Sequence, residues 1–209
     1  MEDFPILMAN SGTTLAEGFL GLGLGIALAF VTAVLMDRYR FLYKSLYPIL
    51  VITQTIPTVA IAPLLVLWMG YDMAPKIALV VIVCFFPMAV GLLDGFRSAD
   101  QDTVNLLRSM GASKGQIFRM VKLPSSLGRF FSSLRVSVSY SIVGAVIAEW
   151  LGGNSGLGVY MTRVRKSYAF DKMFAVIVLI SLISLLLMWL VSMIQRLCMP
   201  YEKYGGNQS

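Results

Sequence analysis

The residues with chemical capacity in this chain gather in one place. Arg97, Arg108, Lys114, Arg119, Lys122 and Arg129 set six cations between residues 97 and 129, and the run RSMGASKGQIFRMVKLP occupies 108–124 with Gly111 near its head and Leu123-Pro124 at its end. Cations of this kind contact lipid headgroups or dock onto a partner; they point to no bond-breaking step. Most bond-breaking sites need a clustered nucleophile, a histidine or a metal set, and the 209 residues include no histidine and only two cysteines. Cys84 lies inside an apolar run and Cys198 near the C-terminus, at different depths, so neither a disulfide nor a His/Cys metal site is expected. The net charge of +6 does not call for nucleic acid, because positive charge in a greasy chain marks cytoplasmic loops and anionic lipid headgroups.

Greasy it is. Hydrophobic residues make up 57% and charged residues 13%, against about 25% charged in soluble domains, and the mean hydropathy is +0.77. A span needs roughly 20 mostly apolar residues. Five such segments fall near 15–36, 48–70, 76–96, 131–151 and 173–195, predicting an all-α polytopic membrane protein that forms one domain over 1–209. Arg38, Arg40 and Lys44 follow the first span, the six cations follow the third, and Arg196 and Lys203 follow the last. The positive-inside rule places all three groups in the cytoplasm. The segment 152–172, with Arg163, Arg165, Lys166 and Lys172, opposes the rule, yet alternation sets it outside, since the reverse would put still more charge there. The N-terminus then lies outside, and acidic Met1-Glu2-Asp3 is no signal peptide.

Within the spans, Gly21-xxx-Gly25 and Gly91-xxx-Gly95 read as close-packing faces. Ser133, Ser137, Ser141, Gly144 and Ala148 make one face of the fourth span small and weakly polar, and that face either packs on a neighbour or lines a cavity. The second span carries Thr53, Gln54, Thr55, Pro57 and Pro63. Prolines free backbone carbonyls, which hydrocarbon tolerates only against protein or water, so this is a kinked packing helix or a pore-lining one. Intramembrane acids are few and often functional. Glu149, beside Trp150 near the outer end of its span, serves either interfacial hydrogen bonding or the outer mouth, and Asp94 is expected to pair with Arg97.

The polar stretch 97–130 is too polar to span. Val104 and Leu107 share a helical face, Gly111 breaks it, Ile117, Phe118 and Val121 restart it, and Pro124 closes it. That predicts two short amphipathic helices around a glycine turn. They form either an interfacial pair held by lipid headgroups or a docking knob for a cytoplasmic partner.

The spacing resembles a known pattern. Permease subunits of bacterial binding-protein-dependent ABC importers carry a cytoplasmic EAA loop, in which a glycine is followed by nine residues and then I-x-L-P. Gly111, residues 112–120 and Val121-Lys122-Leu123-Pro124 match that register without a gap, while Asn105-Leu106-Leu107 stands where E-A-A belongs. The stretches IPTVAIAPLLVLWMGYDMAPKIALVVIVCFFPMAVGLLDGFRS and GAVIAEWLGGNSGLGVYM resemble the sulfonate/taurine/nitrate type, and GAVIAEWLGGNSGLGVYM is also similar to permeases of thiamine pyrimidine precursors. The likeness covers roughly 14–200. It implies a sixth, N-terminal helix missing from this sequence, a location in the bacterial cytoplasmic membrane, and no covalent chemistry or cofactor in this chain. ATP and Mg would be bound by a dimer of ATP-binding subunits, with a second copy of the permease and an extracytoplasmic substrate-binding protein completing the assembly. By this resemblance Ser109, Met110, Gly111, Ala112, Ser113 and Gln116 form the tip that enters an ATPase groove, flanked by Arg108, Lys114 and Arg119. Thr53, Gln54, Thr55, Ser137, Tyr140 and Glu149 are the expected pathway residues. A secondary transporter or channel is the alternative; it predicts mid-membrane charges and internal repeats, which the sequence does not clearly display.

Overall fold

In the computed structural model, residues 4–199 are described; Met1-Glu2-Asp3 and Lys203 lie outside the described residues. The chain is helical throughout that range, in the order α1 (Phe4–Arg38), α2 (Arg40–Thr53), α3 (Thr58–Met69), α4 (Met73–Arg97), α5 (Gln101–Ser109), α6 (Lys114–Ile117), a π-helical turn (Phe118–Lys122), α7 (Leu123–Leu151), α8 (Leu157–Lys166) and α9 (Phe170–Cys198). Four helices are long and apolar enough to cross a membrane, and five spans result if α2 and α3 count as one broken crossing.

The core is α1, α4 and α7, held together by small residues. On α1, Gly21, Gly25, Ala29 and Ala33 recur every fourth residue and are buried. A Cβ at Gly21 would stand 2.5 Å from Val80 Cβ on α4, and one at Gly25 3.3 Å from Cys84 Cβ. Gly95 on α4 receives Ser126 of α7, whose Cα would lie 2.8 Å from an added Cβ, and Gly91 receives Ser133. Hydrocarbon gives no hydrophobic drive between helices, so close backbone approach of this kind supplies the van der Waals contact that holds them. The fourth span's small face thus packs: Ser137 and Ser141 are fully buried, and Gly144 sits against Val83 of α4.

Three sequence expectations change. The 48–70 segment is not one kinked helix: α2 and α3 meet at 99° across a break of four residues. Pro57 has no N–H and biases residue 56 away from helix, so it starts α3 as N-cap rather than bending a continuous rod. Pro124 does not close a short second helix either. Helix runs unbroken from Lys114 to Leu151, because a π turn precedes the proline and the Leu123 N–H reaches back five residues to Phe118 O; the turn absorbs the strain of the proline ring and its missing donor. Finally, Arg97 does not pair with Asp94. Its guanidinium stands 3.7 Å over the Tyr43 ring of α2, a cation–π contact, and the two ion pairs among the described residues are Lys76–Glu17 and Lys122–Asp37.

The two ends of the bundle differ as alternation requires. α5, α6, Asp37 and Lys122 gather at one end. Basic α8 lies at the other, packing Leu157, Tyr160 and Val164 on Leu7 of α1 and on Val176 of α9. Cys84 is buried and Cys198 exposed, both free.

Candidate functional site: the polar helix pair and the broken span

The polar stretch folds as a compact knob. Asp100 caps α5 by accepting from the N–H groups of Asp102 (3.2 Å) and Thr103 (3.0 Å) and from the Thr103 hydroxyl. That hydroxyl first, and then the two amides, hold the fully exposed carboxyl below its usual range. At the far end of α5, Gly111 adopts φ +84°. Its N–H reaches Arg108 O and the Ala112 N–H reaches Leu107 O, each at 3.0 Å, the paired bonds that end a helix on a left-handed glycine. Ser113 then opens α6 with a reciprocal cap: Ser113 Oγ accepts from Gln116 N, and Gln116 Oε1 accepts from Ser113 N at 2.7 Å. Ala99, Val104 and Ile117, with Leu107, Ala112 and Val121 against them, form a small core that is the knob's own.

The tip is exposed. Ser109, Met110, Gly111 and Ser113 face solvent, as do Arg108, Lys114, Gln116 and Arg119, while Ala112 is half-buried. Met110 is 73% exposed and Leu106 61%. Two large apolar side chains on an otherwise polar knob mark a contact surface more than a solvated loop. The nine expected tip and flanking residues lie along the knob from the end of α5 to the π turn, with Gln116 spending its side chain on the cap.

The knob is joined stiffly to the spans. Lys122 Nζ grips both carboxylate oxygens of Asp37, at 2.7 and 2.8 Å, fixing the base of the knob to the end of α1. Phe118 packs edge-on against Phe96 of α4, ring centroids 5.1 Å apart. The continuous Lys114–Leu151 helix has 38 residues, about 57 Å at 1.5 Å per residue. That is nearly twice the roughly 30 Å hydrocarbon thickness, so nearly half of it extends beyond the hydrocarbon as the arm of a rod whose remainder is a span.

The expected pathway residues divide. Thr53, Gln54 and Thr55 are exposed at the α2–α3 break, where Thr53 and Thr55 hydroxyls turn back to donate to Leu50 O and Ile52 O. Tyr140 is also exposed, at 48%. Ser137 is sealed in the α4–α7 contact, where Cys84 Sγ donates to its carbonyl. Glu149 is 1% exposed and fully engaged: Oε1 accepts from Thr14 Oγ1 and Oε2 from Gly158 N, both at 2.7 Å. The structure thus makes Ser137 a packing group within the protomer, while Glu149 braces the Gly158 turn and also lines a cavity of about 340 Å³ with Trp150, Asn154, Arg163 and Lys166. Glu149 also explains the Gly156-Leu157-Gly158 turn, since an added Cβ on Gly156, at φ +119°, would overlap its carboxylate.

Beside it lies a pairing that sequence reasoning missed. Lys76 Nζ donates to Glu17 Oε1 at 2.6 Å with both side chains at most 6% exposed, joining the middle of α1 to the first turn of α4. The signal was present: an intramembrane acid calls for a partner, and Glu17 and Lys76 each sit near the outer end of the expected spans at 15–36 and 76–96.

Comparison with known proteins accords with these features. A family model described as "Binding-protein-dependent transport system inner membrane component" matches residues 21–198. The formylaminopyrimidine transport permease protein ThiX of Halalkalibacterium halodurans is 36% identical over 190 residues, 91% of this chain and 76% of the relative. A probable ABC transporter permease protein of Haemophilus influenzae is 40% identical over 182 residues, 87% of this chain and 74% of the relative. Among solved structures, a chain of the MetNI methionine ABC transporter in an inward-facing form superposes with a TM-score of 0.81 at 19% identity, covering 93% of this chain and 97% of that one, which establishes a shared fold.

Proposed function

This chain belongs to the family of binding-protein-dependent transport system inner membrane components, and from that premise we propose that its cytoplasmic knob is the lever through which a separate ATPase works the transport pathway. The chain is a permease subunit of an ABC importer of small nutrients and a multi-pass protein of the cytoplasmic membrane. The observation that carries the lever reading is the unbroken Lys114–Leu151 helix. Its cytoplasmic end turns on Gly111, presents Met110, and is clamped to α1 by Asp37–Lys122. A displacement of Ser109–Ser113 passes into α7, because the helix is continuous from Lys114 to Leu151 and its base is clamped to α1 by Asp37–Lys122. The knob, residues 97–130, works inside a single domain spanning 1–209.

In this reading a pair of ATP-binding subunits supplies the stroke, holding ATP and Mg; the permease holds neither. Arg108, Lys114 and Arg119 flank the entering tip. Two copies of the permease face each other across the broken α2–α3 crossing. Lipid contact is disfavoured there on physical grounds: Thr53 and Thr55 turn their hydroxyls back onto the chain, but the break exposes the Gln54 side-chain amide, which has no partner among the described residues and which hydrocarbon does not satisfy. Against water or a second copy it is satisfied, so these residues and Tyr140 line the path. The substrate is a small organic nutrient delivered by an extracytoplasmic binding protein. The likeness to a formylaminopyrimidine permease favours a thiamine pyrimidine precursor over a sulfonate, taurine or nitrate.

Cysteine crosslinking tests the lever. In a Cys198→Ser background, Met110→Cys should form a disulfide with a cysteine series along the ATPase groove, while Lys44→Cys, at the same membrane end but off the knob, should not. Equal yields from both positions, or none from Met110→Cys, would remove the tip assignment.

A further inference from the structure

A cavity of about 490 Å³ opens between the cytoplasmic end of α1 and the inner side of the knob. Four cations line it: Arg38, Arg108, Lys114 and Lys122. The one acid on its wall, Asp37, is already taken by Lys122. Among the described residues the side chains of Arg38, Arg108 and Lys114 enter no ion pair or hydrogen bond, so three positive charges converge on one space with nothing to neutralise them. The rest of the wall is apolar, built from Val34, Val104, Ile117 and Phe118.

Position makes the combination informative. Val34 lies one helical turn before Arg38, inside the end of the span, and the exposed apolar residues Leu28, Val31 and Leu35 lead up α1 towards it. At the end of a span the cavity lies at headgroup depth, lined by cations and by an apolar floor of Val34, Val104, Ile117 and Phe118, with an exposed apolar stripe running away along α1. A soluble anion needs the cations and has no use for the floor or the stripe. An acidic side chain from a docked protein needs no route into hydrocarbon. An anionic phospholipid uses all three, since basic pockets at the cytoplasmic ends of helices bind phosphate headgroups.

We propose that this cavity is a binding site for an anionic phospholipid. The headgroup phosphate lies among Arg38, Arg108 and Lys114, and an acyl chain follows α1 past Val34. The lipid fills the angle between the lever and α1 and couples the knob's position to the anionic lipid content of the membrane. Arg108 and Lys114 also flank the docking tip, so the site adjoins the surface on which the knob docks.

Native mass spectrometry of the full chain tests it, with the protein released from bilayers of phosphatidylglycerol in phosphatidylcholine. The wild type should retain one phosphatidylglycerol in preference to phosphatidylcholine. Arg38→Gln combined with Lys114→Gln should weaken that retention about thirty-fold, from two cations at roughly 1 kcal/mol each. Arg38→Lys with Lys114→Arg should keep it, as should Lys44→Gln, which removes a cation of the same membrane end from outside the cavity. No preference in the wild type, or equal loss in Lys44→Gln, overturns the proposal. Displacement of the lipid by inorganic phosphate alone would make it a soluble-anion site, and displacement on adding the ATPase would give the cavity to that subunit; either result overturns the lipid assignment.

Discussion

Replacing Gly111 by valine tests the knob with little steric ambiguity, because a Cβ added there meets nothing within 4 Å. The whole effect comes from the backbone. At φ +84° an L-residue carries a penalty of roughly 1–2 kcal/mol, and a β-branched one is the worst suited. The turn has little to set against it: the Gly111 and Ala112 amide bonds and the small core around Ile117. A loss of 1–2 kcal/mol reduces the population of the intact turn by a factor of roughly 5–30. Gly111→Asn is the matched comparison, since asparagine adopts the left-handed region more readily than other side chains. With permease and cognate ATPase in proteoliposomes, ATP-driven uptake per ATP hydrolysed should fall roughly 5–30-fold in Gly111→Val and only slightly in Gly111→Asn. Hydrogen exchange at the Ala112 amide should quicken in the same order. If Gly111→Val transports like the wild type, or if valine and asparagine fall equally, the backbone conformation of this turn is not what coupling depends on.

Three further outcomes follow from the packing, the buried ion pair and the α5 cap. Gly95→Ala forces a methyl to within 2.8 Å of Ser126 Cα, so it should lower stability by about 1–3 kcal/mol, seen as a lower unfolding midpoint in detergent, whereas Gly23→Ala, with nothing within 4 Å, should not. Glu17→Gln leaves Lys76 buried without its counter-charge and should destabilise by about 3–5 kcal/mol, while Glu17→Met with Lys76→Met should recover most of that loss; thermal unfolding of the two variants distinguishes them. The Asp100 cap stabilises α5 through its ionised form, whose carboxyl titrates below the usual range. That contribution is present above the ordinary carboxylate range and is lost as pH falls through the lowered value. Exchange at the Asp102 and Thr103 amides, corrected for its intrinsic pH dependence, should therefore be well protected at neutral pH, less protected in acid, and unprotected at either pH in Asp100→Ala.

What the sequence disclosed, and what it hid, follows from the range of each interaction. The spans and the Gly111 turn are local properties: hydropathy over twenty residues, and one glycine between two amphipathic faces. The Ser113-x-x-Gln116 cap is equally local, and it takes the side chain of Gln116 away from the tip and onto Ser113 N. The continuation through Pro124 was not legible, because one π turn reverses the ordinary meaning of a proline. Pro57 and Pro63 announce a disturbance in the second span, yet a 99° break rather than a kink depends on what α3 packs against, namely Leu79 of α4 and Ala148 of α7. Glu17–Lys76 and the bracing of Glu149 join residues 59 and 135 positions from their partners. Only a depth argument reaches the first, and none reaches the second. Arg97 on Tyr43 is hidden for another reason: Asp94, three residues away, offers a nearer carboxylate in sequence, and the aromatic ring lies on a different helix.

The central claim is that an ATPase, acting through the knob, drives passage along this chain. Proteoliposomes holding the permease and its cognate ATPase, supplied with the loaded binding protein, measure it directly. Uptake should require ATP on the side that the ATPase faces, should stop when a non-hydrolysable analogue replaces ATP, and should be indifferent to ionophores. Uptake that continues without ATP and follows an imposed ion gradient would contradict the account.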